Sequence, residues 1–234
     1  MLSFIFDIDD TMYHRLTPFR LACEKQFGIP ADETGMEDLF HAFIRHGNEV
    51  FEDSMNGSIT MEEMYIYRTT KTMEERGIFL TPEEALAWQA AYQWQQDHIL
   101  LDPSLREMLD LCSKKGSFLG VITNGPSAHQ RKKYRALGLA DWISEDHVIT
   151  SGEVGINKPD PEIFHIAARR WGLSPQETWY VGDSYEHDII SAAQTGWHTI
   201  WLDRKYQNES GPSDAADYIA HSEKELLGIL SGIL

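Results

Sequence analysis

Four short, almost wholly apolar runs mark this chain, and each stops abruptly in a polar cluster. Leu2 to Phe6 ends in Asp7-Ile8-Asp9-Asp10-Thr11, and Phe118 to Ile122 ends in Thr123-Asn124-Gly125. Thr178 to Val181 ends in Gly182-Asp183-Ser184, and Trp197 to Leu202 ends in Asp203. Runs that are apolar at successive positions, not alternate ones, belong to strands covered on both faces. Helical patterns precede the last three: Pro103 to Lys115, Pro161 to Trp171, and Asp188 to Thr195, each followed by a glycine. A glycine just past the last turn is a common helix stop. Strands alternating with helices of this length predict an α/β fold with a parallel sheet. Every polar cluster sits at the C-terminal end of its strand, where open parallel sheets bind their ligands.

Residues 15–98 differ in kind. They hold no strong strand pattern and read as amphipathic helices over Phe19 to Phe27, Met36 to Phe51, Thr60 to Arg76 and Thr81 to His98. Thr81-Pro82-Glu83-Glu84 combines a capping box with proline at the first helical position. The stretch is too long for a simple crossover, so it predicts an inserted helical domain. The chain then divides into a core of residues 1–14 and 99–234 and an insert of residues 15–98. Trp88, Tyr92 and Trp94 recur at helical spacing in that insert, which reads as core before it reads as a platform for stacking a base.

The 37 acids outnumber the 20 lysines and arginines, for a formal net charge of −17. The excess is spread over both parts of the chain. It argues against a nucleic-acid polymer, which needs a basic face, and against anionic lipid. No apolar run is long enough to span a membrane or to serve as a signal peptide. Two dispersed cysteines, Cys23 and Cys112, suit a reducing, cytoplasmic setting, and Cys112 falls on an apolar helix face. The N-x-S matches at Asn56 and Asn208 then carry no glycan. The ten histidines show no paired spacing that would hold zinc. The basic stretch Arg131-Lys132-Lys133-Tyr134-Arg135 reads as a solvated helix face.

The chemistry-bearing residues sit at the strand ends. Asp7 and Asp9 are two apart on an extended backbone and point the same way. Adjacent carboxylates repel, so the pair implies a divalent cation or a shared proton, unless it is merely the polar end of a strand. Hard oxygen ligands favour Mg²⁺. Thr123-Asn124-Gly125 opens a helix from Pro126 to Leu137, where a hydroxyl and backbone amides form either an anion site or an ordinary helix start. Lys158 lies in a loop stiffened by Pro159 and Pro161, though a solvated lysine fits the bare sequence too. Asp183 tips the third strand, and Asp188 falls near the next helix start, where an N-cap is the plain alternative.

Taken together and in this order, these residues resemble the haloacid dehalogenase-like hydrolase superfamily. The resemblance rests on Asp7-x-Asp9-x-Thr11, Thr123 with Asn124-Gly125, Lys158-Pro159, and Gly182-Asp183 with Asp188. It implies a Rossmann-like parallel sheet core with an inserted helical-bundle cap domain. Thr123-Asn124-Gly125 followed by Gln130, with Gly155 to Pro161, looks like the branch containing pyrimidine 5′-nucleotidases and other small phosphate-ester phosphatases.

The resemblance also implies a reaction. Asp7 would attack phosphorus and form an aspartyl-phosphate, and Asp9 would exchange protons with the leaving alcohol and then with water. Mg²⁺ would sit on Asp7, the Asp9 backbone carbonyl and Asp183, with Asp188 behind these ligands or reaching the ion through water. Thr123 and the amides of Asn124 and Gly125 would hold phosphate oxygens, and Lys158 would pair with Asp7 and the phosphate. The substrate implied is a small phosphorylated metabolite, a nucleoside 5′-monophosphate among the candidates. Specificity is expected from the cap and from the turn carrying Tyr13 and His14. True haloacid dehalogenases lack the second aspartate, so Asp9 argues for phosphate chemistry. A sugar phosphomutase and a non-catalytic binding or regulatory protein of the same fold are the alternatives.

Overall fold

The computed structural model describes residues 1–30, 34–205 and 211–234, so the Asn208 match lies outside the described residues. The chain forms two compact units, Met1–His14 with Ile99–Leu234, and Arg15–His98.

In the first unit, the strands are β1 (Ser3–Phe6), β2 (Phe118–Thr123), β3 (Val148–Thr150), β4 (Thr178–Gly182), β5 (His198–Leu202) and β6 (Tyr218–Ala220). They form one parallel sheet in the order β3-β2-β1-β4-β5-β6. β1 is central. Phe6 pairs in register with Val121 on one side and Val181 on the other, so Asp7, Ile122 and Gly182 emerge at the same level.

Side chains of a strand alternate between faces, and here both faces are apolar. Phe4, Phe6, Val121 and Val181 lie on one face with Leu105, Met108 and Leu109 from one helix and Leu226 and Leu230 from another. Ile5, Ile122 and Tyr180 lie on the opposite face with Ile163, Phe164 and Trp197. Burying each such side chain contributes about 1.5–3 kcal/mol, which is why the runs are continuously apolar. Cys23 and Cys112 are both free and buried.

Among its described residues the second unit holds the helices α1 (Leu16–Phe27), α2 (Met36–Glu49), α3 (Phe51–Met55), α4 (Met61–Glu74) and α5 (Pro82–Gln96). Thr60 and Thr81 each close a capping box, with Glu63 and Glu84 respectively. Trp88 is fully buried, with ring centroids 5.4 Å from Phe19 and 5.1 Å from Phe43, and it stacks on Tyr92. Trp88 and Tyr92 are therefore core. Trp94 is half exposed, but His98 stacks on its ring at 4.0 Å.

The remaining helices, all in the first unit, are α6 (Pro103–Lys114), α7 (Ser127–Ala136), α8 (Ser151–Val154), α9 (Glu162–Trp171), α10 (Ser191–Gln194) and α11 (Glu223–Ile233). Several sequence expectations need correction. The expected helix from Met36 to Phe51 breaks at Val50, whose φ of −119° is not helical. Pro126 and Pro161 stand one position before their helices, not inside them. The helix expected from Asp188 begins earlier, as a π-helical turn over Tyr185–Ile190 that runs into α10. The short strands β3 and β6 and helix α11 were not anticipated.

Candidate active site

Asp7 directly follows β1, and its backbone N–H is held by the Val181 carbonyl of β4 at 3.0 Å. Its carboxylate is buried, and Oδ1 accepts a hydrogen bond from Lys158 Nζ at 2.8 Å. Oδ2 accepts none from the described residues. The same ammonium donates to Asp188 Oδ1 at 2.6 Å and to the Tyr180 hydroxyl at 2.9 Å. All of its N–H groups thus have acceptors, although the side chain is almost wholly buried.

Burial alone would lower the Lys158 ammonium, but the Asp188 and Asp7 carboxylates outweigh it and hold the lysine well above its usual value. Burial pushes the Asp7 carboxyl the other way, up to about 6, against the pull of Lys158 and with help from Asp188 and Asp9. Loss of hydration is thus the main reason the Asp7 carboxyl is raised, and Lys158 offsets only part of it.

Asp188 is no N-cap. It lies inside the π-helical turn, where its Oδ2 accepts from the Ser184 N–H at 3.0 Å while Oδ1 holds Lys158. Gly182 makes room for it: a Cβ there would stand 2.4 Å from Asp188 Oδ2. Asp183 follows β4, and its carbonyl accepts from the Trp201 indole at 2.8 Å. Ligand oxygens of Asp7, Asp183 and Asp188 lie within 4.8 Å of one another.

Asn124 clamps the lysine loop by its side chain. Its Nδ2 donates to the Lys158 carbonyl at 2.8 Å and its Oδ1 accepts from the Lys158 N–H at 2.9 Å. Thr123 Oγ1 is buried without a hydrogen-bond partner among the described residues. An orphaned buried hydroxyl at the tip of the strand beside β1 is costly unless a ligand satisfies it. Gly125 departs from expectation, because its N–H donates to Ser151 Oγ at 2.9 Å and is already engaged. Its φ of 131° and missing Cβ instead let Gln130 approach, since a Cβ would meet Gln130 Nε2 at 2.7 Å.

The Asp9 carboxylate turns to other partners. Lys133 Nζ reaches Oδ1 at 2.7 Å and Oδ2 at 2.6 Å, the Tyr13 hydroxyl donates to Oδ1 at 2.6 Å, and Gln130 Nε2 donates to Oδ2 at 2.9 Å. Burial would raise Asp9, but Lys133 foremost, with Tyr13 and Gln130, holds it down at about 2. Asp9 thus has a lysine of its own, whereas Asp7 shares Lys158 with Asp188. Lys133 overturns its reading as a solvated residue: it is 5% exposed. The signal was its spacing, because Gln130, Lys133, Tyr134 and Leu137 form an i, i+3, i+4, i+7 stripe that is buried throughout. Tyr13, expected to face substrate, serves Asp9, and His14 pairs with Glu223 at 3.2 Å. Tyr180 was read only as part of a strand.

The turn after β1 is also fixed from outside. Asp10 adopts φ +57°, and the Arg204 guanidinium donates to the Asp10 and Thr11 carbonyls while pairing with Glu223.

The donor set suits a hard divalent cation. Three carboxylates converge, no histidine or cysteine stands among them, and the Asp7 carboxyl is raised chiefly by burial, with the Asp188 and Asp9 carboxylates adding to it.

A family model for haloacid dehalogenase-like hydrolases matches residues 1–196, and the chain belongs to that family. The chain is 41% identical over 195 residues to a glyceraldehyde 3-phosphate phosphatase of Methanothermobacter thermautotrophicus, covering 83% of this chain and 82% of that one. It is 34% identical over 139 residues to a phosphoserine phosphatase of Thermus thermophilus, covering 59% of this chain and 54% of the relative, so that match spans about half of the relative's length. Among solved structures, a HAD phosphatase from Thermococcus onnurineus superposes with a TM-score of 0.60 at 26% identity, covering 99% of each chain. No helix among the described residues is long and apolar enough to cross a membrane.

Proposed function

We propose that the protein is a Mg²⁺-dependent phosphate monoester hydrolase that acts through an aspartyl-phosphate on a small phosphorylated metabolite. The observation that carries this reading is Asp7: a buried carboxylate with one oxygen fixed by Lys158 and the other without a hydrogen-bond donor among the described residues. That is the arrangement an oriented nucleophile needs.

In the first step Asp7 Oδ2 forms a bond to phosphorus while the bond from phosphorus to the ester oxygen breaks. Asp9 hands a proton to the departing alcohol; a phosphate monoester entering as its monoanion brings that proton with it. In the second step water attacks phosphorus, gives its proton to the Asp9 carboxylate, and the Asp7–phosphorus bond breaks to release phosphate. Lys158 lets the anionic nucleophile and the anionic ester approach each other. The Thr123 hydroxyl and the Asn124 amide receive phosphate oxygens, while the Asn124 side chain holds Lys158 in place. Mg²⁺ would be held by Asp7, the Asp9 carbonyl, Asp183 and Asp188, and when bound it supplies positive charge against the charge spread over the transferring phosphoryl group. The helical unit Arg15–His98 acts as the cap that selects the ester.

A small polar ester is favoured over a nucleotide, because Trp88 and Tyr92 are packed inside the helical unit and offer no face for a base. The named relatives are phosphatases of glyceraldehyde 3-phosphate and of phosphoserine, compounds of the same small class. The full set of Asp7, Asp9, Thr123, Lys158, Asp183 and Asp188 supports catalysis over a non-catalytic role for this fold.

The test is a phosphate-release screen with Mg²⁺ over nucleoside 5′-monophosphates, sugar phosphates and short-chain acid and aldehyde phosphates. Release from the short-chain group, lost on chelation, is expected. An isomerised sugar phosphate without free phosphate would make the protein a mutase, and silence across the panel would make it a binding protein.

A further inference from the structure

We infer that Lys133, with Tyr13 and Gln130, forms a three-residue clamp that sets the direction of the Asp9 carboxylate, making these positioning residues for proton transfer to the leaving alcohol. This inference rests on the phosphatase reading and adds residues that its motifs do not contain.

The geometry is specific. Asp9 is only partly buried, yet both of its oxygens are engaged: Lys133 reaches both, Tyr13 takes Oδ1 and Gln130 takes Oδ2. Lys133 and Gln130 are three apart on α7, so they present to Asp9 as one rigid edge. Gln130 is itself oriented, since its Nε2 also donates to the Asn124 carbonyl at 2.6 Å. Through that bond the clamp is tied to the residue that holds the Lys158 backbone. The Lys133 ammonium is buried, and the only carboxylate it pairs with among the described residues is Asp9. A lysine buried in the apolar stripe of α7 is expensive to desolvate, and a function for the carboxylate it holds explains its presence better than stability does.

A residue that aims a proton donor matters in proportion to how much the leaving group needs the proton. A nitrophenolate departs without one, whereas an alkoxide does not. Lys133→Met, nearly the same shape without the charge, should therefore lower kcat/KM on the best alkyl ester from the screen at least about 10-fold more than on 4-nitrophenyl phosphate. The ratio of kcat/KM values reports the step in which the alcohol leaves, free of the later hydrolysis. Lys133→Arg, which keeps two donors on Asp9, should restore much of the difference. Tyr13→Phe should show the same bias at smaller amplitude, and it carries the test alone if Lys133→Met does not fold.

Equal losses on both esters in Lys133→Met and Tyr13→Phe would overturn the inference and leave the phosphatase reading standing. A wild-type protein inactive on both esters would overturn that reading and this inference with it.

Discussion

The Tyr180 hydroxyl accepts a hydrogen bond from Lys158 Nζ at 2.9 Å and donates its own proton to the Ile122 carbonyl at 2.8 Å. A side chain from the central part of β4 thereby ties the lysine to the neighbouring end of β2. The lysine comes from a loop, but its charged end is fixed by two strands and by the π-helical turn that carries Asp188.

Tyr180→Phe removes that hydroxyl and leaves the buried Lys158 N–H and the Ile122 carbonyl only each other, at a long 3.3 Å. The variant should lose about 1–3 kcal/mol of stability. Urea denaturation measures this, and an unchanged midpoint would show that the hydroxyl is not needed to satisfy the lysine.

Gly182→Ala places a methyl group where Asp188 Oδ2 and Cβ now lie. Asp188 must move, and Lys158 with it. Since a misplacement of about 1 Å can cost about 10²-fold in rate, kcat should fall by that order while the far-ultraviolet circular dichroism stays native. Wild-type kcat would show that Asp188 does not set the position of Lys158.

The charge state of Asp7 makes a prediction about stability without metal. Its carboxyl titrates near 3.9 in an unfolded chain and at about 6 in the folded one, so the folded state binds that proton more tightly. Wild-type stability must then fall as pH rises from about 4 to about 6, and Asp7→Asn escapes that loss. In chelator at pH 7 the variant should be roughly 2–3 kcal/mol more stable than wild type, with the gap closing below pH 4. Added Mg²⁺ should raise the melting temperature of wild type far more than that of the variant. Equal pH profiles would show that burial of Asp7 carries no cost.

The net charge of −17 bears on capture of the substrate. Lys158 and Thr123 offer a local site for an anion within a strongly acidic protein, so long-range steering opposes encounter. Raising the salt concentration screens that repulsion, and kcat/KM should rise or stay level. A steep fall would show a basic approach path that dominates the field.

The strand tips were legible because chemistry and topology coincide there: Asp7, Thr123 and Asp183 each end an apolar run that is buried on both faces. Lys158 stood out through its flanking prolines. What was hidden depends on tertiary contact. Lys133 looks like its basic neighbours until α7 is docked and Asp9 fills the space above the Gln130–Lys133 edge. Asp188 looks like an N-cap because a π-helical turn has no distinct residue pattern. β3 and β6 have only three residues each, too few for periodicity to register.

The central claim is that Asp7 is the nucleophile. The most direct measurement compares wild type with Asp7→Asn in Mg²⁺-dependent hydrolysis of 4-nitrophenyl phosphate, with circular dichroism as a check on the fold. The account predicts a folded variant whose hydrolysis is abolished, together with an acid-stable phosphoryl group trapped on Asp7 of the wild type. A folded variant that hydrolyses the ester at the wild-type rate would contradict it.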